Sequence, residues 1–577
     1  MLTRIRIRNF KRFDDVEIEL EKAVVLIGPN NSGKTTALQA LALWDIGLRR
    51  WNEKRKGKSS PEKRPGVTVN RRDLFSIPVP SANLLWRDLH VRDVRRTEEN
   101  GKSTPKTENV NVEIIVDGVV NGNAWSCGLE FDYANEESFY CRPLRLDKAG
   151  KDRMPVPSDV ENVRVAFLPP MSGLADREFV KQPGEVGVLI GQGQTAQVLR
   201  NLCYKIHQER EGGHWDDLVG HIRHLFGVEL LEPLYIAERS EITMAYKDER
   251  TNRLDLSSSG RGLQQTLLLL AHLYANPGAV LLLDEPDAHL GILRQRQTYN
   301  LLIQVAEQQS SQIIAASHSE VVLGEAANRD MVIAFVGKPH RIDDRGLQVL
   351  KALQDIGFDQ YYQAEEKGWV LYVEGSTDLS ILQSFAKTLD HEAQASLERP
   401  FVKYVENNLP GRARDHFFGL REAKKDLVGI ALFDRLNAEL QSVRGLTETM
   451  WRRREIENYF CMEQVLLAYA RYDLPDDLFG LAERAQREEA MTKSIAEVTK
   501  LLEIDDLSPW SADVKASDEV LDRVFRLYFK KLKLPLHLRK SGYHLLASFV
   551  PKESLDDEIT EKLDAIVATA NKAKPRA

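Results

Sequence analysis

Hydrophobic and charged residues take turns at the start of the chain. Residues 5–10 (IRIRNF) and 16–20 (VEIEL) alternate with a period of two, which predicts two half-buried strands joined by a turn over 11–15. Ala23–Ile27 is apolar at every position and predicts a strand covered on both faces. Alternation returns from 110 to about 165, and a helical pattern runs from about 195 to 226. Apolar runs at 279–283, Trp369–Val373 and Val428–Phe433 predict further buried strands, each followed at once by an acid. From 463 to about 533 the pattern is helical, and a charged tail closes the chain at 571–577.

The segments between these runs set the expected boundaries. Residues 49–72 are rich in Lys, Arg, Ser, Pro and Gly without periodicity, which reads as a mobile basic insertion, either a solvated loop or a DNA-contacting arm. Residues 346–366 read as a polar, helical connector. The expected organisation is α/β: a first domain over 1–345 with the insertion at about 49–72, the connector over 346–366, a second domain over 367–550 with a helical elaboration, and a tail over 551–577.

Composition removes some classes. With 79 Lys plus Arg against 86 Asp plus Glu the formal charge is −7, so the chain is not a globally basic nucleic-acid binder, although a local stripe could serve. At 42% hydrophobic and 29% charged, with no apolar run near the ~18 residues of a spanning helix, a soluble cytoplasmic protein without membrane attachment is expected. The four cysteines lack metal-finger spacing and read as reduced core residues. The N-terminus has no apolar h-region and reads as a strand rather than a signal peptide.

Chemistry enters directly after the apolar strand at 23–27. Gly28-Pro29-Asn30-Asn31-Ser32-Gly33-Lys34-Thr35 fits G-x-x-x-x-G-K-[ST] and leads into a helix-permissive run. Backbone amides of such a loop cradle phosphates at a helix N-terminus, the lysine reaches the β- and γ-phosphates, and Thr35 offers a hydroxyl to Mg²⁺. The run at 279–283 ends in Asp284 and Glu285, placed to hold Mg²⁺ and to accept a proton from the attacking water. Ser258, Ser259 and Gly260 precede an apolar helix, where free amides and hydroxyls form either an anion site or a flexible cap. His318 ends a buried run at 312–317 and is positioned to sense the γ-phosphate.

Together these elements resemble the ABC-type ATPase head of the structural-maintenance and DNA-repair ATPases and of the OLD (overcoming lysogenisation defect) nucleases. The resemblance covers roughly 1–340. It implies that Ser258-Ser259-Gly260 of one subunit closes over ATP held by Lys34 of another, giving a homo-oligomer, dimer or tetramer, through the heads. The segment departs from the transporter form by reading SSSGRG in place of LSGGQ.

A second acidic constellation follows. The strand at 369–373 ends in Glu374 and Gly375, with Asp378 opening the next helix, and a carboxylate at such a strand end is where α/β folds place metal sites; the alternative is a helix capped by Thr377 and Asp378. The strand at 428–433 ends in Asp434, and Glu455 and Glu457 lie in a stretch with three arginines. Asp518 is a further candidate metal ligand. These residues resemble a Toprim domain in the form fused to the OLD head, over roughly 367–550. The resemblance implies that Glu374, Asp378 and Asp434 hold divalent metal, that Glu455 and Glu457 in R-E-I-E-N-Y add carboxylates, and that Lys540 contacts the scissile phosphate. Leu436 stands where the family's second D-x-D aspartate belongs.

The function implied is an ATP-binding and ATP-hydrolysing, Mg²⁺- or Mn²⁺-dependent DNA endonuclease or nickase in bacterial anti-phage defence, sometimes acting with a partner protein or retron complex. The competing expectation is an ATP-dependent DNA clamp or sensor whose Toprim-like domain does not cut, and Leu436 is its support.

Overall fold

The computed structural model describes residues 1–55, 66–99, 102–120, 122–146, 152–209, 213–327, 329–342, 356–405, 408–437, 439–441, 443–474 and 477–575. The middle of the basic insertion (56–65) and the first ten residues of the connector (346–355) lie outside the described residues. The chain divides into two compact units, Met1–Leu350 and Lys351–Ala577.

In the first unit the alternating segments become β1 (Leu2–Phe10) and β2 (Phe13–Glu19), an antiparallel pair in which Ile5 faces Ile18 and Ile7 faces Val16, while Arg4 faces Glu19 and Arg8 faces Asp15. The period of two sorts each strand into an apolar and a charged side. The stretch read as a loop over 49–72 is regular at both ends. Its start is the last turn of helix α1 (Lys34–Arg55), and its end is strand β4 (Val67–Asn70). Val67 and Val69 are buried by pairing at the sheet edge, so two apolar positions outweigh the basic composition around them. After β4 the hairpin β5 (Arg92–Glu99) and β6 (Lys102–Asn109) forms from sequence with almost no apolar alternation. With β7 (Val112–Val120), β8 (Asn123–Asn135) and β9 (Ser138–Pro143), the antiparallel sheet has the order β2-β1-β7-β8-β9-β4.

The second sheet gathers the fully apolar strands. After β10 (Val165–Leu168) come helices α2 (Pro183–Gly191), α3 (Leu199–Gln208) and α4 (His214–Phe226). Five short strands follow, β11 (Glu229–Leu230), β12 (Leu234–Ile236), β13 (Glu241–Thr243), β14 (Ala245–Lys247) and β15 (Arg253–Asp255), paired into small antiparallel ribbons. Helix α5 (Arg261–Tyr274) leads to β16 (Val280–Asp284), helix α6 (Ile292–Gln308) to β17 (Gln312–Ser317), and β18 (Met331–Ala334) and β19 (His340–Arg341) end the unit. Their order is β10-β16-β17-β3-β18-β19, with β3 (Ala23–Ile27) inserted between strands almost 300 positions later; only β19 runs antiparallel. α1 is buried on nearly every side, at Ala37, Leu38, Leu41, Trp44 and Leu48, because its neighbours include strands of both sheets.

The second unit is built on β20 (Trp369–Val373), β21 (Val402–Tyr404), β22 (Val428–Phe433) and β23 (Leu446–Met450), all parallel in the order β21-β20-β22-β23. Alternate residues feed two cores: Trp369, Leu371, Val373, Ile430 and Leu432 face one, and Val370, Tyr372, Ala431 and Phe433 face the other. From β20 the chain first adds β21 on one side and then β22 on the other, so the order reverses between β20 and β22. A crevice opens at the carboxyl ends of strands at such a point.

Candidate functional site

The loop between β3 and α1 is shaped by residues that tolerate unusual backbone. Asn31 (φ 62°) and Gly33 (φ 106°) lie in the left-handed region, and a Cβ at Gly33 would come within 2.9 Å of the Arg12 side chain and 3.0 Å of the Phe13 ring. Lys34, the first helical residue, is buried and its Nζ donates to the Gly28 and Pro29 carbonyls at 2.6 and 2.8 Å. Burial draws the Lys34 ammonium below its ordinary range, opposed by the charges of Glu285, Asp284 and Asp287. The buried Ser32 Oγ has no hydrogen-bond partner, so the loop keeps an unfilled donor beside its amides. Phosphate oxygens fit that set.

Across the sheet, Thr35 Oγ1 donates to Asp284 Oδ1 at 3.1 Å. Burial raises the Asp284 carboxyl to about 6; Glu285 adds to the rise, while Thr35 and Lys34 moderate it. Two hard oxygens, one from the loop and one from β16, fit a hexacoordinate Mg²⁺ that also takes phosphate oxygen. Glu285 has a positive φ of 48° and its carboxylate lies 3.8 Å from His318 Nδ1, which β17 places between β16 and β3. Strain of this kind concentrates at functional sites. A support was not singled out from sequence: Ser317 Oγ donates to the buried Asp287 at 2.7 Å and ties the end of β17 to the turn after Glu285, while Ser319 Oγ donates to Gln295 of α6 at 2.8 Å.

Residues 1–45 match the family described as "AAA ATPase domain", and residues 196–324 match "AAA domain, putative AbiEii toxin, Type IV TA system". The first match holds Gly28 to Thr35, and the second holds Ser258 to Gly260, Asp284, Glu285 and His318. The chain carries a P-loop ATPase head. ATP with Mg²⁺ is the cofactor pair of such domains. Curated proteins give no match. Similar solved structures include the SMC head domain from Thermotoga maritima, 17% identical over 59% of this chain and 98% of that one with a TM-score of 0.30. An SMC head bound to the C-terminal winged-helix domain of ScpA is 13% identical, over 59% of this chain and 97% of that one, TM-score 0.34. The Pyrococcus furiosus SMC head with an extended coiled coil is 13% identical, over 62% and 99%, TM-score 0.33. No helix among the described residues is long and apolar enough to cross a membrane.

Elsewhere in the head, the Ser258-Ser259-Gly260 segment is organised locally. Asp255 caps Ser257, the Ser258 and Ser259 hydroxyls donate to the Asp255 and Leu256 carbonyls, and Gly260 is the N-cap of α5. Among the described residues no hydrogen bond joins it to the phosphate loop of the same chain.

The second unit places Glu374 immediately after β20 and Asp434 immediately after β22, at the crevice between them. Asp378 Oδ2 accepts the Glu374 and Gly375 amides at 3.0 and 3.2 Å, so it does cap its helix, Ser376–Leu389. Burial raises Asp378 to about 6, with Glu374 adding to the effect. Asp434 is pushed further, to about 8, by burial and then by Glu374, Asp378 and Glu455. Glu457 is raised well above the ordinary range by burial, then by Glu455, Asp378 and Asp434. Glu374, Asp378, Asp434, Glu455 and Glu457 therefore share one electrostatic neighbourhood. Glu455 and Glu457 arrive there because Asn458 bonds the Ser511 and Val514 carbonyls while the Ser517 amide donates to Glu455.

The expected metal shell is not assembled, however. Among the described residues no three His, Cys, Asp or Glu side chains converge closely enough to hold a metal ion. Backbone amides hold Asp378 and Glu455, and Asp518 is turned to cations, with Lys515 at 2.5 Å and Lys540 at 3.7 Å. Lys515 was missed from sequence; its signal is the three-residue spacing to Asp518 on one helical turn. The donor chemistry still fits a hard divalent cation, since the neighbourhood is carboxylate and its one cysteine, Cys461, is buried with its thiol pushed up. Leu436 lies against the core that holds Phe433 and points its chemistry away from ligation.

Proposed function

We propose that the protein is an ATP-regulated, metal-dependent DNA endonuclease or nickase of the OLD type, with an ABC-type head and a Toprim-like second unit. The observation that carries this reading is the carboxylate neighbourhood at the reversal point of the β20–β22 sheet, where Asp434 is raised to about 8 by burial and then by three other acids. Buried like charges at a strand-end crevice have no packing value, and perturbed acids of this kind mark functional sites.

In the head, Lys34 would leave the loop carbonyls for the β- and γ-phosphates, Thr35 and Asp284 would hold Mg²⁺, and Glu285 would take the proton of the attacking water with His318 orienting it. Ser258, Ser259 and Gly260 of a second copy would close the site, making a dimer or tetramer through the heads. In the second unit Glu374, Asp378, Asp434, Glu455 and Glu457, with Asp518 at the margin, would hold Mg²⁺ or Mn²⁺. The bound metal supplies charge neutralisation and an activated water for phosphodiester cleavage. Lys540 would swing from Asp518 to the developing charge on the scissile phosphate. A cytoplasmic role in anti-phage defence, with a partner protein or retron complex, accords with the toxin–antitoxin wording of the matched family.

The second reading is a DNA clamp or sensor, and the unassembled shell with Leu436 in the core favours it. Supercoiled plasmid incubated with Mg²⁺ or Mn²⁺, with and without ATP, separates the two. Nicking by the wild type that disappears in Glu374→Ala is expected. No nicking under any of these conditions, or undiminished nicking by Glu374→Ala, selects the sensor.

A further inference from the structure

A cavity of ≈ 780 Å³ opens in the head beside β10. Four consecutive residues, Arg164 to Phe167, line it, so it meets the free edge of the parallel sheet rather than one face. Its volume lies in the range of small-molecule sites. Four cations line it: Arg49 from α1, which pairs with Asp45 at 2.7 Å, Arg164 at the start of β10, Lys181, which pairs with Glu185 at 2.8 Å, and Lys205 from α3; the sole acid in its lining is Glu209. The Arg164 side chain is exposed and has no ion-pair or hydrogen-bond partner among the described residues. Lys205 Nζ donates to the Ala275 carbonyl at 3.0 Å and reaches Glu209 at 3.8 Å.

The floor of the cavity holds an unusual group. His272 on α5 is 3% exposed, and its two ring nitrogens are closed to solvent without a hydrogen bond of ordinary geometry; the Ala166 backbone opposes the effect of burial. A buried imidazole without partners costs stability unless something fills it. Burial lowers His272 to about 4, with Lys205 adding to the effect, so at neutral pH the ring is uncharged.

We propose that this cavity is a second ligand site of the head, taking an organic phosphate of nucleotide size. Arg164 and Lys205 take the phosphates, joined by Arg49 and Lys181 on leaving Asp45 and Glu185, and the uncharged His272 and the Phe167 wall bound the space for the neutral ring. The site is separate from the phosphate loop, since Lys34 and Arg49 are fifteen positions apart on one helix, about 22 Å at 1.5 Å per residue. The two are nonetheless connected through rigid elements. α1 begins at Lys34, β10 pairs along β16, which ends at Asp284, and α5 begins directly after Gly260. An occupant braces the far ends of the elements whose near ends carry the ATP chemistry, which gives it a route to modulate turnover.

The test counts nucleotides on the full chain by equilibrium dialysis with fluorescent ADP. Two per chain are expected for the wild type and one for Lys34→Ala. In Lys34→Ala/Arg164→Glu the remaining site weakens by about tenfold or more, as loss of a charge-assisted phosphate contact requires. Arg164 is exposed, and an unchanged melting curve verifies folding. In Lys34→Ala, ADP also slows hydrogen exchange over 199–209. No ADP on Lys34→Ala, or an affinity indifferent to Arg164→Glu, overturns the second site. Two ADP on both the wild type and Lys34→Ala contradicts the phosphate-loop assignment instead.

Discussion

The head and the second unit each bring acids to the ends of parallel strands, yet they balance charge differently. In the head, Lys34 lies within the fields of Glu285, Asp284 and Asp287, and Asp284 rises only to about 6. In the second unit five carboxylates share one electrostatic neighbourhood, Lys515 and Lys540 lie beside Asp518, and Asp434 rises to about 8. The head carries its own counter-charge and asks a ligand to rearrange it. The second crevice gathers like charges that raise one another and asks a cation to complete it. That difference explains why a phosphate loop is recognisable without its nucleotide, whereas the carboxylates spread toward amides and lysines.

The sharpest break of this comparison lies in the head. Lys34→Ala should lower ATP turnover, measured by phosphate release, by about 10²–10³-fold or more, because one preorganised cation is lost from the transition state. Glu285→Gln should slow turnover by about 10²–10⁴-fold while leaving ATP bound and recoverable on filters. Wild-type turnover in Glu285→Gln means that another group is the base.

A smaller effect sharpens the contrast through pH. A carboxyl at about 8 in the folded chain and 3.8 unfolded binds its proton more tightly when folded, so Asp434 subtracts stability as pH rises from about 4 through 8. In chelator, the melting temperature should fall between pH 5 and pH 8, and Asp434→Asn should reduce that fall, matching or exceeding the wild type at pH 8. Melting that falls as steeply in Asp434→Asn places the charge strain elsewhere. The smallest effect belongs to Leu436→Ala, which should cost about 1–2 kcal/mol of stability for a half-buried side chain and leave plasmid nicking within about twofold. A large loss of nicking gives Leu436 a role beyond packing.

Much of this contrast is legible in the residues. Apolar strands ending in Asp284, Glu374 and Asp434, and the loop Gly28–Thr35, state their chemistry locally, because a buried run that stops at an acid has few other meanings. The hairpin Arg92–Glu99/Lys102–Asn109 is not legible, since its strands carry no apolar period, and β4 is masked by basic neighbours although Val67 and Val69 pair into the sheet. Nor is the ligation geometry. That Asp378 spends an oxygen on the Glu374 and Gly375 amides, and that Asp518 turns to Lys515 and Lys540, depends on which donors the tertiary structure brings near. The cavity at His272 is hidden for the same reason, because its cations come from four separated stretches.

Manganese binding measures most directly whether the carboxylates of the second crevice take a cation. Calorimetric titration of Mn²⁺ into nucleotide-free Lys34→Ala, in which the head has no phosphate-bound metal, should show saturable binding. That binding should disappear in Lys34→Ala/Glu374→Gln/Asp434→Asn with the fold retained. Saturable binding unchanged by those two substitutions, or none to begin with, contradicts a metal centre at the β20–β22 crevice.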